Sequence, residues 1–354
     1  MFEMSGFLPL VNTLAQRYVE PILHDGVLRN DPLPAMLKRK CLKPYRGGIS
    51  WQQNATYDLL DVLDVAKSNV SYPTSTNTHQ VETGYQFDIR SKLVPLSVDL
   101  AQLSTDLWGT NVNLDYLETR LQLAALSMSA KIATDCYRDG TQAGRTLAMN
   151  GLDEALNDGS TNGWQGVTFA NYGTVARSAV NGATSSPMTG PTANFAGGSL
   201  TLTSVEDAWA SVWYGDEKPD YMLTTIKGFS ILKRVIYNPA IRLEQAPDQE
   251  FGFLSYVYNG TPVHASHYAP GSRTASAADT KIGYSAITGE TLWFLNSKHI
   301  NFHVSTNPMR SFALWPFQLI PGTQQAVAQY IADVNLTVTP GSNRFMRYLF
   351  GFTD

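Results

Sequence analysis

Charge is what this chain has least of. Asp, Glu, Lys and Arg together make up 16% of its 354 residues, against roughly 25% in ordinary soluble domains. A free monomer covers itself with Lys and Glu, which are costly to bury. A chain with few of them reads as a subunit whose outside is hidden by neighbours. The formal net charge of −4 excludes a whole-chain basic binder that neutralises many phosphates. Cys41 and Cys136 are the only cysteines; far apart and in unlike contexts, they point to reduced thiols in a cytoplasmic setting. The opening MFEMSGFLPLVNTLAQ carries an acid at position 3 and no basic stretch, so no signal peptide is expected. Apolar runs fall short of the ~20 residues of a membrane span. Without a secretory signal, the N-x-S/T sequons at Asn54, Asn69, Asn259 and Asn335 carry no weight.

Catalytic spacing is missing as well. His264-x-x-His267 and His299-x-x-x-His303 have spacings that would hold zinc on a helix, but both lie in strand-like stretches, where they read as structural or surface histidines. Asp158, Ser160, Asn162 and Gly163 imitate the start of a calcium loop whose twelfth position is Phe169 instead of Glu. The run GTQAGRT, Gly140–Thr146, is one residue short of a phosphate loop, offers Arg for Lys and follows a helix. There is no Gly-x-Ser-x-Gly elbow. Asp58, Asp61 and Asp64 would suit a hydrolase, yet their spacing is better explained by a solvated edge. Trp209, Trp213 and Tyr214 read as core or interface packing rather than a platform for bases. No catalytic, cofactor-binding or metal residue is assigned, and the chain is expected not to be an enzyme.

What the sequence does carry is an ordered series of parts. Residues 1–50 hold Pro9, Pro21, Pro32, Pro34 and Pro44; Phe7–Ile22 has room for a short helix, and the rest reads as an extended arm. Within it PAMLKRKCLK is locally basic, which a solvated arm and a nucleic-acid contact explain equally well. In residues 51–100, Tyr57–Ala66 fits either period, Ser68–Gln80 is a polar loop or hairpin tip, and Val81–Ile89 alternates as a strand. Such a hairpin has little core of its own and must lie on something, either its own domain or a neighbour. Asn113–Gly140 is the clearest helix: Asn113 serves as N-cap, and Asp115, Glu118 and Arg138 suit the dipole. Leu114, Leu117, Leu121, Ala124, Met128, Ile132 and Cys136 form one apolar stripe. At about 39 Å, a helix with one stripe lies across a sheet as a spine.

Asn181–Ser199 reads as an exposed excursion. Thr203–Tyr214 opens on a Thr-x-x-Glu capping box with Val205, Trp209 and Val212 inward. Pro219–Thr224 follows as a buried strand, Ile226–Tyr237 as a helix, and Ser255–Val263 as strands, together an α/β lobe of about 100 residues. At the end come GETLWFLNSKHINF (Gly289–Phe302), PFQLIPGTQQ (Pro316–Gln325) and AVAQYIADVNLTVT (Ala326–Thr339). These apolar runs, punctuated by Pro-Gly and Asn, predict an antiparallel closing sheet.

In this order the parts resemble the Hong Kong 97-type major capsid proteins of tailed phages. The quotable matches are the Asp135–Gly140 helix end leading to Asn150-Gly151-Leu152, PDYMLT at Pro219–Thr224 between two helices, TGETLWFL at Thr288–Leu295, and DVNLTVT at Asp333–Thr339. The resemblance implies an α+β Hong Kong 97-like fold with an N-terminal arm (1–50), an E-loop hairpin (51–100), a spine-helix peripheral domain (101–200), an axial α/β domain (201–315) and strands returning to the peripheral domain (316–354). It implies a subunit that self-assembles as hexamers and pentamers into the head of a tailed phage around double-stranded DNA. Assembly would take place in the bacterial host cytoplasm, and the product would be the virion capsid. The implied partners are other copies of the chain, a portal, a separate scaffolding protein, decoration proteins and non-specifically bound DNA, with no membrane. A separate scaffold is implied because no long charged N-terminal segment is present. Some members cross-link Lys to Asn between subunits; Lys67 and Lys92 fall in the E-loop region and are expected as ordinary solvated lysines. The encapsulin nanocompartment shares the fold and is the alternative.

Overall fold

The computed structural model describes residues 12, 31–56, 82–99, 112–138, 140, 147–177, 192–194, 198–236, 255–272, 289–321, 323, 325–340 and 345–353. The chain is α+β. It begins with a departure from the extended arm. Pro32–Lys40 is a helix, α1, and Leu42–Tyr45 a strand, β1. Pro32 blocks nothing, because the first helical residue has no backbone N–H bond to lose. Asp31 caps the helix, its side chain accepting from Leu33 N. The stretch from Leu33 to Leu37 is buried.

Two sheets carry the rest. The peripheral sheet has five strands: β1, Ile300–Ser305 (β12), Gln325–Val338 (β14), Ala313–Leu319 (β13) and Arg90–Asp99 (β4). The 14-residue β14 is its axis. Along one edge β14 pairs antiparallel with β4 from Gln325 to Val334, and along the other with β13 and then β12. Val334 pairs on both sides, with Arg90 and with Val304. β1 adds parallel to β12. Ser50–Thr56 (β2) and Glu82–Asp88 (β3) form an antiparallel hairpin. Of the two supports open to it from sequence, its own domain or a neighbour, the described part of this hairpin uses its own subunit: Phe87 packs edge-on to Tyr172 at 5.1 Å, and Trp51 lies 4.4 Å from His303. The expected tip Ser68–Gln80, Tyr57–Ala66, Lys67 and Asp58, Asp61 and Asp64 lie outside the described residues, as does the arm helix except Asn12.

The spine helix, α2, runs Val112–Cys136, 25 residues. Asn113 is therefore inside its first turn and not its cap. Of the predicted stripe, Leu121, Ala124, Met128, Ile132 and Cys136 are buried, while the side chains of Leu114 and Leu117 are outside the described set. The helix packs on the face of β4 that carries Lys92, as the Lys92–Asp135 ion pair requires. Lys92 is therefore not solvated; it is 7% exposed, and its partner Asp135 is fully buried.

The second sheet has six strands, in the order Thr192–Asn194 (β7), Arg347–Phe352 (β15), Glu290–Leu295 (β11), Tyr221–Thr225 (β8), Thr261–Ser266 (β10) and Ser255–Tyr258 (β9). Helices Leu202–Val212 (α4) and Ile226–Ile236 (α5) cover one face. The α4 capping box is real but starts two residues earlier than expected, with Thr201 and Ser204 exchanging bonds. Val205, Trp209 and Val212 do point inward. Along β11, Leu292 and Phe294 join the α4–α5 core, while Trp293 and Leu295 join the larger core around the spine helix. A strand buried on both faces reads as a continuous apolar run, which explains TLWFL.

The closing segment divides between the sheets instead of forming one. Gly289–Phe302 holds two strands: β11 in the six-stranded sheet and β12 in the peripheral one. A turn at 297–299 separates them. Ile300–Ser305, within the stretch expected to be axial, pairs with β14; Arg347–Phe352, within the stretch expected to return, pairs with β11.

Candidate assembly surfaces

The short helix Leu152–Leu156 (α3) holds the two sheets together through buried polar contacts. Asn335 of β14 accepts from Asn150 N at 2.8 Å and donates to Asp88 O at 2.6 Å and Asn150 Oδ1 at 2.9 Å. Asn150 in turn donates to Glu154 at 2.8 Å. On the next residue, Asp153 accepts from Tyr348 Oη of β15 at 2.6 Å and from Gln165 at 2.7 Å. A buried network with its partners in place specifies a unique arrangement. The glycine of NGLDEAL is needed for this approach: a Cβ on Gly151 would sit 2.2 Å from Arg138 O. A sequon at Asn335 is thus spent on the core.

Beside this rigid body, several surfaces remain uncovered among the described residues. On α2, Leu123 and Leu126 are 55% and 53% exposed on the face opposite Leu121. On the side of the peripheral sheet away from α2, Leu93 is 50% exposed and Pro95, Ser97 and Asp99 are exposed too. Cross-strand register puts Leu93 beside Ile331, and Pro95 beside Gln329, whose partner on the other edge is Trp315. Past the end of α4, Trp213 and Tyr214 are exposed, Tyr214 lying 6.3 Å from Phe345. The aromatic trio therefore splits: Trp209 is core, edge-on to Tyr258 and Phe294, and the other two are surface. Apolar surface repeated on several sides suits a subunit with several neighbours.

The titratable groups are occupied in holding structure. His264 is buried and stacks on Tyr221 at 4.6 Å, and His267 is exposed. His299 stacks on Phe345 at 5.0 Å. Burial holds the His303 imidazole down at about 4, with Lys43 adding to the effect. Asp158 Oδ1 accepts from Ser160 N at 2.9 Å and Thr161 N at 2.6 Å, so the calcium-like carboxylate closes its own turn. The thiol of Cys41 is pushed up to about 12, and that of Cys136 well above its usual range, both by burial. Asp31 is buried and pushed up to about 6 by desolvation, although Ser266 Oγ donates to it at 2.7 Å and His267 N at 3.2 Å. Among the described residues no three His, Cys, Asp or Glu side chains are grouped to hold a metal ion. Of the run GTQAGRT only Gly140 is described; its N–H faces Glu154 at 3.4 Å. No described helix is long and apolar enough to cross a membrane.

No family model and no curated protein matches the chain. Solved structures do. A capsid subunit of cyanophage A-1(L) aligns over 90% of this chain and 93% of its own, with TM-score 0.59 and 10% identity. The SrpI encapsulin of Synechococcus elongatus aligns over 90% and 87%, with TM-score 0.55 and 12% identity. A structure from Mycobacterium phage Ogopogo aligns over 90% and 91%, with TM-score 0.50 and 12% identity. At such identities it is the three-dimensional arrangement that is common. The chain has the Hong Kong 97-type capsid fold.

Proposed function

We propose that the protein is the structural subunit of a tailed-phage head, building a closed shell of hexamers and pentamers around double-stranded DNA. One observation carries this reading: a fold similar over nine-tenths of the chain to a cyanophage capsid subunit. Uncovered apolar surface on α2, on the peripheral sheet and beyond α4 supports it, as does a charged fraction of 16%. Of the organisation expected from sequence, we assign the E-loop to the β2–β3 hairpin and the peripheral domain to α2 with the five-stranded sheet. The axial domain becomes the six-stranded sheet with α4 and α5. The role is structural and not enzymatic. Portal, separate scaffold, decoration proteins and DNA are the proposed partners, and assembly in the host cytoplasm the proposed setting. Light scattering of the native material, with scaffold present, should reveal megadalton species, and electron microscopy closed shells. A chain that stays monomeric under all such conditions refutes the proposal.

The encapsulin reading is favoured by the likeness to SrpI. The content of purified particles decides between the two: packaged duplex DNA indicates a phage head, an enclosed enzyme a nanocompartment.

A further inference from the structure

From Pro32 to Tyr57 the chain has no Asp or Glu, yet it carries Lys38, Arg39, Lys40, Lys43 and Arg46. The fold gathers these five cations along one border of the subunit. The first six residues of α1 are buried, and its last turn emerges with Lys38 half-buried and Arg39 and Lys40 exposed. β1 then forms the end strand of the peripheral sheet, paired among the described residues with β12 alone, and exposes Lys43 beside His303. Arg46 is exposed just past it. Across the sheet, β4 carries Arg90, 3.4 Å from Asp88, and Lys92, buried against Asp135.

Local needs account for part of the basic border. Cations in the last turn of a helix complement its dipole, and Lys43 with Pro44 protects an edge strand. Lys40 lies 3.6 Å from Asp220. Neither need reaches Arg46, which lies beyond helix and strand, and neither requires an acid-free stretch of this length in a chain of net charge −4. We infer that the Lys38–Arg46 border is the surface this subunit presents to a double-stranded nucleic acid, held through its phosphates. The inference rests on the shell reading above and assigns the DNA-facing contact to these residues. A duplex fits better than a single strand, because single strands are bound on exposed aromatic platforms. Here Tyr45 is 8% exposed and Trp51 packs between Tyr45 and Phe87. Charge contacts of this kind carry no sequence preference.

The test measures binding of a short DNA duplex to the full-length chain and to an Arg39→Gln/Lys43→Gln/Arg46→Gln variant across a salt series. Each phosphate contact contributes roughly 0.9 to the slope of log affinity against log salt, so the variant's slope should be shallower by up to about 2.7. Its affinity at low salt should fall at least tenfold, with unchanged melting temperature and shells still formed. Equal slopes and affinities overturn the inference, as does a parent chain that fails to bind the duplex at low salt. Poly-glutamate forms a second arm: tighter binding than the duplex through the same three residues would make this a site for an acidic protein, which also overturns it. Failure of the shell reading shows separately, as absence of particles from the parent chain.

Discussion

The two sheets of this molecule are finished to different degrees. The six-stranded sheet is covered twice, by α4 and α5 on one side and by the spine-helix core on the other, and every residue of β8 and β11 is buried. The peripheral sheet is covered once: β4 alternates, with Leu96 and Val98 buried and Leu93, Pro95 and Ser97 exposed. A sheet closed on both faces has what it needs from its own chain. One that leaves Leu93 half-exposed, under a helix that leaves Leu123 and Leu126 exposed, keeps apolar area for another molecule. Stability and assembly should therefore separate by location.

The largest expected effect lies at the covered face of the spine. Leu121 is fully buried, and Leu121→Asp places an unpaired charge there, a cost of several kcal/mol against total stabilities of about 5–15 kcal/mol. The variant should be insoluble or unfolded; near-normal solubility and assembly would show that the helix packs by another face. Next comes the ion pair beneath it. Lys92→Ala takes the buried cation away from the buried Asp135, leaving it beside the half-exposed Lys131, 3.1 Å away, and should lose about 3–5 kcal/mol. Lys131→Ala, removing a solvent-exposed partner, should lose less than about 1 kcal/mol. Denaturant titration of both variants gives the comparison, and equal losses would show that burial is not what sets the pair's value.

A smaller effect tests the seam between α1 and the six-stranded sheet. Asp31 is buried against Ser266 with its pKa raised to about 6, above the unfolded value of roughly 3.9. The folded state thus holds this proton more tightly than the unfolded one. Its contribution favours folding below about pH 4 and is lost as pH rises to 6, a difference of roughly 3 kcal/mol at most. Stability of the parent minus that of Asp31→Asn, measured from pH 4 to 7, should fall across this window and level off above it. A flat difference would mean that Asp31 titrates normally in the folded chain.

Much of this was legible in the sequence, and the misses share causes. Leu121, Met128 and Ile132 were readable because a long helix repeats its signal over many turns. TLWFL is legible as part of an apolar run in a closing sheet, but its own sheet is not: nothing in a local run states which partner it pairs with, so Gly289–Phe302 reads as one run although it holds both β11 and β12. Pro32 and Pro34 read as helix breakers, although Asp31 directly before Pro32 is the capping signal that marks a start. Lys92 was read as solvated because its burial depends on Asp135, 43 residues away. The proposed assembly surface is visible in sequence only as a shortage of charge; that Leu123 and Leu126 face outward while Leu121 faces inward needs the sheet beneath the helix.

Replacing Ser68–Gln80, which lies outside the described residues, by a short Gly-Ser turn tests the division between folding and assembly in another way. The segment is polar and has little apolar area to bury, so the chain should still melt cooperatively while shells fail or weaken. Loss of the fold would place the segment in the core, and normal shells would make it a dispensable excursion.

The smallest effect on stability is expected two residues from the largest. Leu123→Gln/Leu126→Gln removes apolar side chains that are 55% and 53% exposed, and exposed substitutions of this kind shift stability by only about 0.5 kcal/mol. Gln is also nearly as good a helix former as Leu, so circular dichroism melting should match the parent. Assembly should not match, since each shell contact repeats across many copies and a small loss per contact accumulates. The critical concentration for shell formation, read by light scattering, should rise severalfold in the variant. If melting and critical concentration are both unchanged, the outer face of the spine helix is ordinary solvent-facing surface, and shell contacts lie on Leu93 or Trp213 and Tyr214 instead. If melting falls by several kcal/mol, those leucines are packed within the subunit and the division between a covered and an uncovered face is wrong.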